Sequence, residues 1–157
     1  MVKVVNNFMH RNDFNHLRQE VLKANFFYNS SVSEDYSKDG YYFAHMIYQN
    51  NEKTSTLFHL IEPILDKIDA KQIYRAKVNL FPGGEKLKEY GQHQDTMFKC
   101  KVFLLSLNTC DGFTRIGKDK KVPSVANTGI FFPSTVYHNS TNCTNANIRL
   151  NININYF

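Results

Sequence analysis

At 157 residues, the chain is long enough for one hydrophobic core of ordinary size and too short for two well-buried ones. Its apolar share of 42% and aromatic share of 14%, the latter all Phe and Tyr, exclude global disorder. The net charge of +5 comes from scattered lysines and arginines, which argues against a nucleic-acid surface, and the three cysteines, Cys100, Cys110 and Cys143, form no CxxC pair that would suggest a disulfide scaffold or structural zinc.

In chain order, residues 2–5 read as a short strand. Asn12 is a candidate N-cap for a helix over 13–24, with Phe14, Leu17, Val21 and Leu22 on one face. Residues 26–28 are a possible strand, and 29–40 form a polar loop that ends at Gly40 and could border a site. The aromatic run 41–48 is strand-like. Thr54 or Ser55 can cap a helix to about Asp69, striped by Leu57, Leu60, Ile61, Ile64, Leu65 and Ile68.

From Ile73 onward the pattern changes to eight short strands, over 73–81, 87–95, 99–107, 112–116, 121–126, 128–132, 136–139 and 147–156. Pro82-Gly83-Gly84, residues 108–112, 117–119 and Pro133-Ser134 punctuate them, and Lys118, Lys120 and Lys121 fall at a hairpin tip. Strands following a helical segment predict a mainly β, α+β single domain over 1–157, with 1–70 a helical support and 71–157 a double-sheet jelly roll. The helices are expected on the outer face of one sheet. The first seven residues lack the apolar stretch of a signal peptide, and no segment approaches membrane-spanning length, so a cytoplasmic location is expected.

His93 and Asp95, two apart in a strand-like stretch, leave the same face. With a second imidazole, His138, they form the two-histidine, one-carboxylate set that binds non-haem iron(II) and leaves positions open. A lone His-x-Asp occurs by chance in many chains; the terminal strand is more selective. One of its faces carries Asn147, Arg149, Asn151, Asn153 and Asn155, and the other Ile148, Leu150, Ile152, Ile154 and Tyr156. If the helices cover the apolar face, Arg149 and the amides point into the roll. In a dry interior each unsatisfied neutral group would cost about 1 to 3 kcal/mol, so a wet, ligand-holding cavity is expected. The alternative is an edge strand open to solvent. Arg75, Lys77 and Asn79 repeat the alternation, which suggests a pocket for a small dianion gripped by Arg149.

These residues resemble the 2-oxoglutarate and iron(II)-dependent oxygenases, specifically small prolyl-hydroxylase-like members, including forms carried by bacteriophages. The resemblance runs from Tyr74 to the C-terminus and rests on His93-Gln94-Asp95, on His138, and on Arg149 eleven residues further on. Phe81-Pro82-Gly83, Leu107-Asn108 and Asp111-Gly112-Phe113 support it. It implies a double-stranded β-helix in which His93, Asp95 and His138 hold Fe(II) and Arg149 anchors the far carboxylate of 2-oxoglutarate. Arg149-Leu150-Asn151 looks like the family's Arg-x-Ser variant, with Asn151 as a second polar contact. Dioxygen and 2-oxoglutarate would be converted to succinate and carbon dioxide as a peptide or protein substrate, at proline, is hydroxylated.

The chain departs from the pattern at Phe81, which stands where many prolyl hydroxylases place a tyrosine. That leaves Asn79, Lys77 and Tyr90 as candidates for its contact. The location implied for a phage-encoded member is the host cytoplasm. Two other classes stay open: a cupin-like binding module without turnover, and a nucleic-acid-directed oxygenase, which the scattered charge disfavours.

Overall fold

The computed structural model describes residues 1–33 and 40–157. The central part of the polar loop expected over 29–40 therefore lies outside the described residues. Strand β1 (Lys3–Val5) leads into helix α1 (Arg11–Val21), followed by β2 (Phe27–Asn29), β3 (Tyr42–Gln49), the two-residue β4 (Glu52–Lys53) and helix α2 (Phe58–Lys67). The remainder is β5 (Ile73–Pro82), β6 (Lys101–Ser106), β7 (Phe113–Ile116), β8 (Lys120–Pro123), β9 (Thr128–Pro133), β10 (His138–Ser140) and β11 (Ile148–Tyr156). Two antiparallel sheets result. The larger runs β1-β9-β6-β11-β5-β3-β2, with β4 beside β3, and the smaller runs β10-β7-β8. Among the described residues no helix is long and apolar enough to cross a membrane.

Alternation along the central strands separates two environments. Leu150, Ile152 and Ile154 of β11, Ala76 and Val78 of β5, and Phe103 and Leu105 of β6 join Leu17, Val21, Ile61 and Ile64 of the helices in one hydrophobic cluster. The opposite faces of the same strands look toward the smaller sheet. There Val102, Leu104, Ile130 and Phe132 meet Ile116 and Val122 in a second apolar cluster, while β5 and β11 contribute polar side chains. The interior of the roll is thus apolar on one side and polar on the other.

The helices depart from expectation at their ends. Asn12 lies inside the first turn of α1 and His10 occupies the cap position without a side-chain bond. A distant residue fixes this start: Asn127 accepts from the Met9 N–H at 2.8 Å and donates to the Met9 carbonyl at 2.9 Å. The helix closes at Val21, so Leu22 is half exposed rather than part of the buried face. In the second helix Ser55 Oγ accepts from Leu57 N–H at 3.1 Å, and regular α-helix begins only at Phe58.

Residues 87–95 are the strand that does not form. Two isolated bridges, Glu89 to Thr141 and His93 to His138, tie them to β10. Four steps from 89 to 93 face three from 141 to 138, so one residue is supernumerary and the ladder breaks around Gly91, as at a bulge. Without it, Glu89 and His93 would share a face. With it, Glu89 turns outward to a two-point ion pair with Arg115, while His93 turns into the roll.

Candidate metal centre and co-substrate pocket

The reciprocal bridge sets His93 opposite His138, and the bend after it brings Asp95 to the same point. One ligand atom from each of His93, Asp95 and His138 lies within 4.8 Å of the others, with His138 Nε2 3.8 Å from Asp95 Oδ2. His138 Nδ1 lies 3.1 Å from the Val136 carbonyl. That acceptor takes the proton on Nδ1 and leaves Nε2 as the nitrogen that faces Asp95, the orientation typical of a ligating imidazole.

Burial, reinforced by His138, pulls the His93 imidazole down to about 4, so it is neutral near pH 7; its Nδ1 is buried and has no partner among the described residues. Burial pushes the Asp95 carboxyl upward, but His138, Asn153, Arg75 and Asn155 outweigh it and hold the group at about 2. Two imidazoles, one with a buried nitrogen lacking a partner among the described residues, and one carboxylate are a donor set suited to a divalent transition metal.

The three residues border a narrow cavity of about 30 Å³, which Tyr42, Lys77, Asn79, Phe81 and Asn153 also line. On the other side of the 92–97 loop, Gln92, Gln94, Met97 and Tyr137 border a wider cleft of about 380 Å³. Asn79 Nδ2 donates to Asn151 Oδ1 at 3.0 Å, leaving Asn79 Oδ1 and Asn151 Nδ2 buried and unpaired among the described residues. Lys77 Nζ donates to the Tyr42 hydroxyl at 3.3 Å.

Arg149 is 1% exposed and donates to Ser124 Oγ (3.2 Å), the Thr141 carbonyl (3.1 Å) and Thr114 Oγ1 (2.8 Å). None of these is an acid, so among the described residues the guanidinium has no counter-charge, and burial pulls it down to about 10. Of its five N–H groups two remain, one on each terminal nitrogen. Its stem fits because position 112 is glycine: a Cβ there would lie 2.6 Å from Arg149 Cδ and 2.5 Å from the Asn142 carbonyl oxygen.

Compared with solved structures, the chain matches a prolyl-4-hydroxylase from Pseudomonas putida with a TM-score of 0.73 at 15% identity, over 99% of this chain and 91% of that one. A Trichoplax adhaerens prolyl hydroxylase, in complex with a peptide fragment of the hypoxia inducible factor oxygen degradation domain, matches at 0.71 and 15% over 99% and 83%. The fold is that of the 2-oxoglutarate and iron(II)-dependent oxygenases. The same oxygenase fold includes the non-heme alpha ketoglutarate dependent epimerase SnoN from nogalamycin biosynthesis, at 0.72 and 13% over 99% and 77%. No family model matches the sequence, and neither does any curated protein.

On this oxygenase fold the residues singled out from the sequence fall into two groups. His93, Asp95, His138, Lys77 and Asn79 share one cavity. Arg149 and Asn151 are not on its wall. The Arg149 guanidinium lies 5.5 Å from the centre of the Phe81 ring, which is stacked between Tyr42 and Tyr90 at 5.6 and 5.7 Å. Three aromatic rings thus accompany the cation beside the metal-side cavity. Sequence reasoning did not identify Arg75, Asn153 and Asn155 as partners of Asp95, nor Thr114, Ser124 and Thr141 as partners of Arg149. The inward faces of β5 and β11 were signals for the first three; nothing in the local sequence marked the others.

Proposed function

We propose that the chain is an iron(II)- and 2-oxoglutarate-dependent dioxygenase that hydroxylates a peptide or protein substrate at proline. The observation that carries this reading is a buried guanidinium that has no counter-charge among the described residues, in the same roll as a two-histidine, one-carboxylate cluster. Each feature alone has structural explanations; together they match a ligand that chelates a metal at one end and carries a carboxylate at the other.

His93, Asp95 and His138 would hold the iron. When bound, iron and 2-oxoglutarate supply the oxidising power drawn from dioxygen. The chain does the rest. Arg149 presents two parallel N–H donors to the distal carboxylate, and the unpaired Asn151 Nδ2 and Asn79 Oδ1 add polar contacts. Lys77 contributes positive charge beside the cavity, and Phe81 with its stacked neighbours keeps bulk water from the guanidinium. The cleft bordered by Gln92, Met97 and Tyr137 reaches His93 and Asp95 from outside, giving a substrate side chain a route to the metal that does not pass Arg149.

Proline is supported by the two prolyl hydroxylases of this fold, one with its peptide bound; SnoN is a reminder that the fold also serves other chemistry. The test is anaerobic addition of iron(II) and 2-oxoglutarate, followed by proline-containing peptides in air. Metal-to-ligand charge-transfer absorption and peptide-stimulated succinate formation are expected. A chain that shows no such absorption is a binding module, and one that forms succinate without regard to proline acts on another substrate.

A further inference from the structure

Asp95 is held by more than its place in the loop. Arg75 Nη2 donates to Asp95 Oδ1 at 3.3 Å, and Asn153 and Asn155 each donate through Nδ2 to Asp95 Oδ2 at 3.1 Å. Arg75 also donates to Asn155 Oδ1 at 3.1 Å, which fixes the orientation of that amide so that its N–H groups face the carboxylate. The donors come from directly paired strands, because Asn155 is in register with Arg75 and Asn153 with Lys77. The carboxylate side chain is 4% exposed, so water does not compete for these bonds.

A purely structural clamp would grip the loop backbone. The loop already has such an anchor in the paired amides of His93 and His138, and the Gln94 side chain adds a bond from Nε2 to the Thr135 carbonyl. The three donors from β5 and β11 instead converge on the two oxygens of one proposed ligand. We propose that Arg75, Asn153 and Asn155 are positioning residues for the metal, locking the Asp95 carboxylate in one orientation and, through the Arg75 charge, damping its donor strength. Hydrogen-bonded partners behind a ligand commonly set its orientation and basicity. The inference rests on the reading of His93, Asp95 and His138 as metal ligands.

The probe is cobalt(II) alone, added to the full chain without 2-oxoglutarate, so that neither turnover nor the co-substrate pocket enters. Affinity and the visible ligand-field bands are read on variants whose near-ultraviolet circular dichroism shows them folded. Asn155→Leu should weaken cobalt binding about 10- to 100-fold. Arg75→Gln should shift the bands to shorter wavelength as the carboxylate becomes a stronger donor, and Arg75→Lys, which keeps the charge, should return them toward the wild-type position. If Arg75→Gln does not fold, Asn153→Ala removes a single neutral bond and should weaken binding in the same direction. Folded variants with affinities within about twofold of wild type and unshifted bands overturn the inference alone. Absence of cobalt binding by the unaltered chain overturns it together with the function it rests on.

Discussion

His93 and His138 exchange both of their backbone hydrogen bonds, His93 N–H to the His138 carbonyl at 2.9 Å and His138 N–H to the His93 carbonyl at 3.0 Å, with ring centres 4.6 Å apart. The main chain therefore aligns the imidazoles before any metal arrives. Since that bridge does not use the side chains, His93→Ala should leave the circular dichroism of the metal-free protein unchanged. Outer partners of a metal ligand are worth 10- to 100-fold, so on the proposed assignment of His93 as a ligand its removal should lower iron-dependent succinate formation by more than about 100-fold.

For Arg149 two opposing effects can be weighed. Its charge is held at about 10 against 12.5 in water, a burial penalty of about 3 kcal/mol. Its three hydrogen bonds have a charged donor and return about 1.5 to 3 kcal/mol each, which outweighs that penalty. Arg149→Met, which also strands the oxygens of Ser124, Thr141 and Thr114, should therefore melt clearly below wild type when no ligand is present. It should still raise the 2-oxoglutarate KM by roughly 100-fold, as loss of a charged double hydrogen bond worth about 3 kcal/mol implies. Added 2-oxoglutarate should raise the melting temperature of wild type and leave that of the variant unmoved; equal shifts in both would remove Arg149 from the pocket.

Acid should destabilise the metal-free protein in two stages. His93 is held at about 4 when folded and titrates near 6.5 when unfolded, so between these values the unfolded chain binds more protons. Stability then rises with pH across that window and is lost as pH falls from 6.5 toward 4, by up to about 3 kcal/mol. Asp95, held at about 2, contributes stability that is complete above its unfolded value near 3.9 and disappears as pH falls through 2. Melting temperature against pH should show the first stage in wild type and a flatter profile in His93→Gln.

Asn127 offers a control remote from the proposed metal site. It closes two buried hydrogen bonds with Met9 from a left-handed backbone, φ 61°. Asn127→Ala strands both Met9 groups and adds backbone strain, about 2 to 4 kcal/mol together. A lower melting temperature with unchanged cobalt affinity is expected.

Much of this architecture is legible in strand alternation. The apolar and polar faces of β11 separate the helix-covered side from the interior, and the sequence pattern places Arg149, Asn151, Asn153 and Asn155 inward, as found. Alternation specifies a face without specifying depth or partner. It could not distinguish Asn153 and Asn155, which reach Asp95, from Asn151, which pairs with Asn79. Nor could it place Arg149 beside the Phe81 ring, because that depends on the register of β5 against β11, in which the two residues are paired. The segment 87–95 misled because its apolar and polar spacing is strand-like while its pairing to β10 carries one residue too many. The start of α1 was hidden because its decisive partner, Asn127, is more than a hundred residues away in sequence.

Gly112 carries a last implication. The space that its missing Cβ leaves is occupied by the methylenes of Arg149 and by the Asn142 carbonyl, so glycine is required there by a neighbour and not by its own backbone angle. A shorter residue at 149 would not free the position, because the Asn142 carbonyl belongs to the main chain and would still meet an added Cβ. Alanine at 112 would push aside the very segment whose Thr141 carbonyl accepts from Arg149, so one missing methyl group sets how closely a backbone crossing and a buried cation can share the same few ångströms.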